Sequence, residues 1–324
     1  MTRVMIVGGY GAVGREAAAA LVRMLPEAHI ALAGRNPATA PRIAGTTVVR
    51  ADAGDPVDIA RLLDGTDVVL MCAELDNVPL ARACLARGVH YLDITASTPL
   101  LDRLGELDAV ARDTDSTCLL SVGLAPGVTN LLAAHCVTRS GAEEVRIGIL
   151  GGGGERHGRQ ALQWILDGLG ELPGAWEMDF PAPHGRRTVY QMPFSDQDTL
   201  PATIGVSRAA TGLCVDSRLL TALFPAGRWP VVGRLLRRPA SRAALLATLA
   251  RVHLGGDAFA LAVRAGDATA TFSGHRQSRA TGLAAATLIR RLPGMPTGVR
   301  HIEQVVQPVD FLTELADHGF SLKI

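Results

Sequence analysis

The sequence predicts an α/β protein with a doubly wound parallel sheet in its first part and an α+β domain in its second part. Three observations support this prediction. Short apolar runs alternate with helical stretches through the first part, the first apolar run ends in a cluster of glycines, and the alternation stops near Leu124. Strands that alternate with helices favour a parallel sheet, because each parallel crossover is long enough to hold a helix.

The predicted strands of the first part are nearly continuous apolar runs, as expected for strands that are buried on both faces. They cover residues 4–7, 30–33, 47–51, 68–72, 91–94 and 118–122. The predicted helices between them cover residues 15–24, 57–63, 78–87 and 100–112. Tyr91 lies inside a predicted strand, so we expect its side chain in the core.

The first strand leads into a glycine turn of the kind that binds dinucleotides. The turn fits both G-x-G-x-x-G and G-x-x-G-x-x-G, and a helical stretch follows it. Such glycines allow a tight turn, a close approach of backbone N–H groups to a pyrophosphate, and close packing of helix on strand. With strand, turn and helix all present, the sequence predicts a Rossmann-type domain over residues 1–125. The residues expected at the cofactor are Gly8, Gly9, Tyr10, Gly11, Ala12, Val13 and Gly14.

The end of the second predicted strand favours NADP(H) over NAD(H). An NAD-binding site usually has a carboxylate here for the ribose 2′-OH, whereas an arginine can hold a 2′-phosphate. This chain has Arg35 and Asn36 at that point and no carboxylate. The alternative for Arg35 is a solvated loop residue, and NAD(H) stays open as a cofactor. Asp52 is expected beside the adenine or, alternatively, in a turn or cap.

Composition indicates a soluble globular protein. The chain has 324 residues, 48% of them apolar, with a net charge of +1, so it lacks the basic excess of a nucleic-acid-binding protein. No apolar run is long enough to span a bilayer, and the first strand leaves no room for a signal peptide, so we expect a cytoplasmic protein. The five cysteines form no C-x-x-C and no H-E-x-x-H is present, so no metal site is predicted.

The lysine count excludes several classes of enzyme. Lys323, beside the C-terminus, is the only lysine of the chain. A Schiff-base lysine, a Walker A lysine and the Tyr-x-x-x-Lys pair of short-chain dehydrogenases are therefore missing from the body of the chain.

The second part is predicted as an α+β substrate and dimerisation domain over residues 126–300. Its expected elements are a helix to about residue 139, a strand over 144–150, a helix over 159–169, a hairpin of strands 258–264 and 268–273, and a helix over 282–291 capped by Thr281. Residues 301–324 are expected to pack back on the first domain. Between Gly205 and Leu254, eight arginines accompany one acidic residue. This segment is either a solvated face of surface helices or a lid or partner surface that attracts carboxylate-bearing substrates, acyl carriers or an anionic membrane.

Several segments resemble the saccharopine dehydrogenase-like family. They are V-G-G-Y-G-A-V-G-R (7–15), G-V-H-Y-L-D-I-T (88–95), G-L-A-P-G-V-T-N (123–130), T-G-L-A-A (281–285) and G-V-R-H-I-E (298–303). The similarity is thin between residues 154 and 254. The resemblance implies an NAD(P)-dependent oxidoreductase, in a family that includes imine-reducing amino-acid enzymes and lipid-modifying reductases.

Candidate catalytic residues lie where the predicted strands end, because these loops face the cofactor. Glu74 and Asp93 are candidates for acid–base catalysis, or alternatively caps and turns. Cys72, Ala73, Thr129 and Asn130 are candidates for cofactor contacts, the last two alternatively at a helix N-terminus.

A glycine-rich loop in the second part carries the remaining candidates. His157 is a candidate proton donor, and Arg156 and Arg159 are candidates for binding a substrate carboxylate, since arginine binds carboxylates through paired hydrogen bonds. The alternative is a surface loop.

The favoured function is an NADPH-dependent reductase of a C=N or C=O group in a small, carboxylate-bearing, amino-acid-like substrate, in specialised metabolism and as a homodimer. Two alternatives stay open. One is a reductase of acyl, enoyl or polyketide-like substrates, and the other is a non-catalytic NADP-binding redox sensor.

Overall fold

The computed structural model describes residues 2–73, 75–154, 159–169, 172–229 and 255–324, together with residues 232, 234, 238 and 241–243. The chain forms two units. The first comprises Met1–Leu131 and Ser278–Phe311, and the second comprises Leu132–Gln277 and Leu312–Ile324.

The first unit contains a parallel sheet of seven strands in the order β13-β6-β5-β4-β1-β2-β3. The strands are β1 (Arg3–Val7), β2 (His29–Gly34), β3 (Thr46–Arg50), β4 (Val68–Met71), β5 (His90–Asp93), β6 (Thr117–Leu120) and β13 (Gly298–His301). The helices that begin in this unit are α1 (Ala12–Met24), α2 (Pro56–Leu62), α3 (Val78–Leu85), α4 (Thr98–Gly105), α5 (Asp108–Asp113) and α6 (Val128–Ser140). The predicted doubly wound parallel sheet is confirmed.

The apolar composition of the central strands matches their burial. All four residues of β4 are buried, and Tyr91 in β5 is fully buried as predicted. The single helix predicted over residues 100–112 is instead two helices, α4 and α5. The break follows Gly105, a poor helix former, and lets Leu107 turn into the core, where it is fully buried.

The chain returns to the first unit after the second, which differs from the prediction that residues 126–300 form one domain. Helix α10 (Gln277–Arg291) begins five residues earlier than predicted, so Thr281 lies inside this helix and does not cap it. A Cβ at Gly282 would lie 2.5 Å from the backbone nitrogen of Ala17 in α1. The glycine therefore permits close packing of α10 on α1, a long-range contact that local sequence patterns do not reveal.

The second unit contains a mixed sheet of seven strands in the order β14-β12-β11-β7-β10-β9-β8. The strands are β7 (Glu144–Gly151), β8 (Ala175–Phe180), β9 (Gly185–Gln191), β10 (Arg208–Val215), β11 (Ala258–Ala265), β12 (Ala268–His275) and β14 (Ser321–Lys323). The remaining helices are α7 (Arg159–Gly168), α8 (Asp196–Ile204), α9 (Arg218–Ala222) and α11 (Pro308–Ala316). The predicted hairpin is confirmed as β11 and β12, which pair antiparallel along their whole length.

Of residues 301–324, which were expected to pack on the first domain, residues 301–311 belong to the first unit and residues 312–324 belong to the second. Strand β14 pairs antiparallel with β12 in the sheet of the second unit. The ring of Phe320 lies 5.3 Å from that of Phe272 and 5.8 Å from that of Phe259. Burial of these aromatic rings against one another holds the terminal strand in the second unit.

No described helix is both long enough and apolar enough to cross a membrane. In the arginine-rich segment, α9 is a short helix. Most of residues 230–254 lie outside the described residues.

Candidate cofactor-binding and catalytic site

The glycine turn joins β1 to α1 at the carboxyl edge of the parallel sheet. Gly8 has a φ of +77°, which favours glycine. The N–H groups of Gly8 and Gly9 donate to the carbonyl oxygen of Ala33, at 3.1 and 3.2 Å. A Cβ at Gly14 would lie 2.6 Å from the carbonyl oxygen of Gly8. Gly8 and Gly14 are therefore needed by the fold itself.

Gly11 differs from these glycines because it faces open space. It precedes the first residue of α1 and is exposed. Within the described residues, a Cβ there would meet one neighbouring atom inside 4 Å, the carbonyl oxygen of Gly8 at 3.2 Å. The first N–H groups of a helix have no acceptor inside the helix and favour an anion. The backbone around Gly11, Ala12 and Val13 therefore fits the pyrophosphate of a dinucleotide.

Tyr10 fills the corner between the glycine turn and the ends of β2 and β3. A Cβ at Gly34 would lie 2.5 Å from the Tyr10 ring, so glycine is required under it. The Tyr10 hydroxyl donates to the carbonyl oxygen of Val49 at 2.7 Å, and Arg15 Nε donates to the Tyr10 carbonyl oxygen at 2.9 Å. Tyr10 is thus held in place beside the ends of β2 and β3, and its predicted contact with the cofactor stays a prediction.

Arg35 follows β2 directly and is exposed. In the part of the chain that the structure describes, its guanidinium makes no hydrogen bond or ion pair. Asn36 instead caps a 3₁₀ turn, with Oδ1 accepting from Ala38 N–H at 3.2 Å, and Asp52 Oδ1 accepts from Gly54 N–H at 3.0 Å. Arg35 therefore offers an uncommitted cation for a 2′-phosphate, whereas Asn36 and Asp52 also serve local turns.

We expect Arg35→Ala to remove most of the preference for NADPH over NADH. If Arg35 holds the 2′-phosphate, the wild type binds NADPH at least about tenfold more tightly, a difference of about 1.4 kcal/mol. Fluorescence titration of both cofactors measures this ratio. Arg23→Ala is the matched control, because Arg23 is an exposed arginine in the last turn of α1. Equal affinities of the wild type for NADPH and NADH would contradict the assignment.

The ends of β4 and β5 are joined through Asp93, which is buried. Its carboxylate accepts hydrogen bonds from Tyr91 Oη at 2.7 Å, Asn77 Nδ2 at 3.0 Å and the Thr95 N–H at 2.8 Å. These contacts favour a structural role that fixes the loops at the carboxyl edge. The catalytic role predicted for Asp93 stays a prediction.

Two further side chains lie beside Asp93. Burial and the Asp93 charge raise the pKa of the Cys72 thiol, so Cys72 is a neutral group at this edge. Asn77 also donates to the carbonyl oxygen of Ala73 at 3.3 Å. Its own Oδ1 is buried and has no hydrogen-bond partner among the described residues. The sequence analysis did not select Asn77. Its position in the loop that follows β4, four residues after Ala73, could have indicated it, because such loops lie at the carboxyl edge of the sheet.

Thr129 and Asn130 are fully buried at the start of α6. Asn130 Oδ1 accepts from Gly127 N–H, and its Nδ2 donates to Glu303 Oε1, both at 3.0 Å. The Asn130 amide therefore holds the turn before α6 and the segment after β13. The cofactor contact predicted for both residues remains a prediction.

The structure also joins two residues that sequence reasoning did not select. Ser121 follows β6, His301 ends β13, and Ser121 Oγ lies 2.9 Å from His301 Nδ1. The segment 298–303 carried a family resemblance, but nothing local in the sequence connects His301 to Ser121.

The remaining predicted site residues cannot be placed. Glu74, Arg156 and His157 lie outside the described residues. Arg159 is the first residue of α7, with its side chain outside the description. The described residues contain no group of histidine, cysteine and carboxylate side chains that could hold a metal ion.

The parallel sheet, the glycine turn and the uncommitted arginine after β2 define a dinucleotide-binding protein of the Rossmann type. Residues 4–119 match the family described as the saccharopine dehydrogenase NADP binding domain. These residues form an NADP-binding domain of that kind, and the chain is an NAD(P)-dependent oxidoreductase with NADP(H) as the preferred cofactor.

The chain is similar to several solved structures. The chain is similar to the apo histidine-tagged saccharopine dehydrogenase (L-Glu forming) from Saccharomyces cerevisiae, at 14% identity over 100% of both chains with a TM-score of 0.64. It is also similar to an amine dehydrogenase from Mycobacterium smegmatis, at 12% identity over 94% of this chain and 96% of that chain with a TM-score of 0.49. The first of these likenesses shows the fold.

Proposed function

We propose that the protein uses NADPH to deliver a hydride to the carbon of a C=N or C=O group in a small, carboxylate-bearing, amino-acid-like substrate. The oxidoreductase class follows from the NADP-binding domain. The observation that carries the substrate class is a buried arginine in the second unit, Arg187.

Arg187 lies in β9 and is 4% exposed, although its neighbour Arg186 is exposed on the other face of the strand. A buried cation normally has a carboxylate partner. Arg187 has none within ion-pair distance among the described residues. Its hydrogen bonds there run from Nη2 to the backbone carbonyl oxygens of Val215 at 2.6 Å and Asp216 at 3.0 Å. The rest of the guanidinium fork is suited to a ligand carboxylate.

The surroundings of Arg187 also favour an anionic ligand. His184 lies close enough that burial, and then the Arg187 charge, lower its pKa. Asp216 is the nearby carboxylate, and it accepts from the backbone N–H groups of Ser217 at 2.8 Å and Gly256 at 3.0 Å. The Asp216 carboxylate forms no ion pair with Arg187, which instead donates to the Asp216 backbone oxygen, so the carboxylate compensates the Arg187 charge only at a distance.

Arg187→Met tests this proposal. It keeps the length of the side chain and removes the charge, and we expect the KM for carboxylate substrates to rise about 30-fold or more, corresponding to about 2 kcal/mol or more. NADPH affinity should stay unchanged. The assay follows NADPH oxidation over a panel of carboxylate-bearing imines and ketones and matched compounds that lack the carboxylate.

Arg186→Met is the matched control, because Arg186 is exposed and paired with Asp179 at 3.0 Å. We expect its KM to stay within about twofold of the wild type, since surface ion pairs contribute little. A folded Arg187→Met protein with the wild-type KM would contradict the assignment. Arg187→Lys keeps the charge and should retain part of the affinity for the substrate carboxylate. Comparison with Arg187→Met then shows whether a loss of affinity comes from the lost charge or from a folding defect.

The other sequence predictions about this reaction remain proposals. We propose Glu74 and His157 as further acid–base candidates and Arg156 and Arg159 as further carboxylate contacts. We also propose a cytoplasmic homodimer. Turnover of enoyl or acyl thioesters in the same panel would favour the acyl alternative and a contact of residues 205–254 with a carrier.

A further inference from the structure

We propose that His301 is the residue that exchanges a proton with the substrate, with Ser121 as the positioning residue that orients its imidazole; this inference rests on the proposed reduction of a C=N or C=O group.

The topology brings the two residues together. Strands β6 and β13 are parallel neighbours, with His301 paired to Leu120 in the register, so both strands end at the carboxyl edge. Ser121 is the next residue after β6. Its Oγ and His301 Nδ1 are 2.9 Å apart although 180 residues separate them in the chain. The contact therefore exists because β13 joins the sheet beside β6.

This edge belongs to the half of the sheet that faces the nicotinamide. In a doubly wound fold, a dinucleotide lies across the carboxyl edge at the point where the strand order reverses. The glycine turn and Arg35 follow β1 and β2, so the adenosine half lies toward β3. The nicotinamide half of a bound dinucleotide would then extend toward β4, β5 and β6. Because neighbouring strands are about 4.8 Å apart, β13 lies one step beyond, where a substrate meets the ring.

Two features of Ser121 are typical of residues at functional sites. Its φ is +58°, a conformation that costs energy for a side chain other than glycine and that clusters at functional sites. Its hydroxyl is fully buried and lies against the imidazole. Because Nδ1 faces Ser121, Nε2 is the ring nitrogen available to a ligand.

Charged groups on the neighbouring elements set the protonation of His301. Burial lowers its pKa most, and Glu303, just after β13, and Asp102 of α4 act in the opposite direction. Asn130 holds the Glu303 carboxylate at 3.0 Å. On α5, Asp108 pairs with Arg112 of the same helix and with Arg300 of β13.

The proton step balances with the hydride step. Bound at the glycine turn and Arg35, NADPH would supply the hydride for the carbon of the C=O or C=N group and would leave as NADP⁺. The electron pair of the broken π bond takes the proton from His301 Nε2, which leaves a neutral imidazole. Solvent then returns a proton to the ring. In the oxidative direction, the neutral imidazole accepts the proton from the alcohol or amine.

The first test needs no substrate. The pKa values of ¹⁵N-labelled histidines are measured by NMR in the NADPH and NADP⁺ complexes. The oxidised ring carries one more positive charge, so a histidine about 10 Å away should have a pKa lower by about 0.3 unit or more with NADP⁺. His90 is the matched control, because it is partly buried with a pKa lowered by burial, and it begins β5 at the opposite edge.

The pKa of His301 should differ between the two complexes, and that of His90 should not. Cofactor binding with the same His301 pKa in both complexes would overturn the inference and leave the proposed function standing. Failure of either cofactor to bind would contradict the proposed function and the inference with it.

The second test uses the best substrate of the panel. We expect His301→Gln to lower kcat about 100-fold or more, to remove the pH dependence of kcat near neutrality, and to leave KM and NADPH affinity within about threefold. Ser121→Ala should move the pH profile with a smaller loss. His90→Gln should keep the wild-type profile. A folded His301→Gln enzyme with the wild-type kcat and pH profile would overturn the proposal.

Discussion

Gly11→Val is expected to abolish NADPH binding while leaving the fold intact. A Cβ at this position has one close neighbour among the described atoms, the Gly8 carbonyl oxygen at 3.2 Å, so we expect a shift of a few tenths of an ångström to admit a side chain there. The branched side chain would fill the space that the pyrophosphate needs above the helix N-terminus. We expect the Kd for NADPH to rise at least about 100-fold, or about 2.8 kcal/mol. Fluorescence titration measures the Kd, and circular dichroism with thermal melting monitors the fold.

Gly14→Val provides the contrast. A Cβ at Gly14 would lie 2.6 Å from both the Gly8 carbonyl oxygen and Gly9 Cα. This substitution should therefore lower the melting temperature, whereas Gly11→Val should not. NADPH binding by Gly11→Val with the wild-type Kd would mean that the pyrophosphate lies elsewhere.

Asp93→Ala is expected to destabilise the protein by about 3–5 kcal/mol. The substitution removes the acceptor of three buried donors, from Tyr91, Asn77 and Thr95, and leaves a cavity under the carboxyl edge. The melting temperature should fall by about 10 °C. Asp64→Ala, at an exposed aspartate, is the control and should change stability by less than about 0.5 kcal/mol.

Asp93→Asn separates structure from catalysis, since the amide retains the shape of the side chain. If Asp93 acts mainly as a structural acceptor, stability falls and kcat stays near the wild-type value in the folded protein. A wild-type melting temperature with a large loss of kcat would instead support the catalytic role predicted from the sequence.

Six strands of the parallel sheet were predictable because each is a short apolar run between helical stretches, although β3, at one edge of the sheet, has no buried residue. Strand β13 was not, because the G-V-R-H run lies at the edge of the sheet and three of its four residues are only partly buried. Strand β8 has a sequence pattern that predicts a strand, but the sequence analysis did not include it. Its Trp176, Met178 and Phe180 alternate with Glu177 and Asp179, the period of a strand with one buried face.

In the candidate site too, some residues could be predicted from the sequence and others could not. The glycine turn and Arg35 were predictable because their geometry is set within a strand, a turn and a helix. The pair of Ser121 and His301 was not, because a sheet register joins them over 180 residues. Arg187 was not predicted, because a charged residue in a strand is normally assigned to the exposed face. In the structure its guanidinium instead donates to the carbonyl oxygens of Val215 and Asp216 at the end of a strand.

The most direct test of a hydride-transferring, NADP-dependent enzyme is the fate of labelled hydride. Wild-type protein is incubated with NADPH deuterated at the nicotinamide C4, on each face in turn, and with the panel of carboxylate-bearing imines and ketones. We expect deuterium from one face to appear at the former C=N or C=O carbon of the product, with NADPH bound at least about tenfold more tightly than NADH. Tight NADPH binding without deuterium transfer to any compound of the panel would contradict the account and indicate a cofactor-binding sensor.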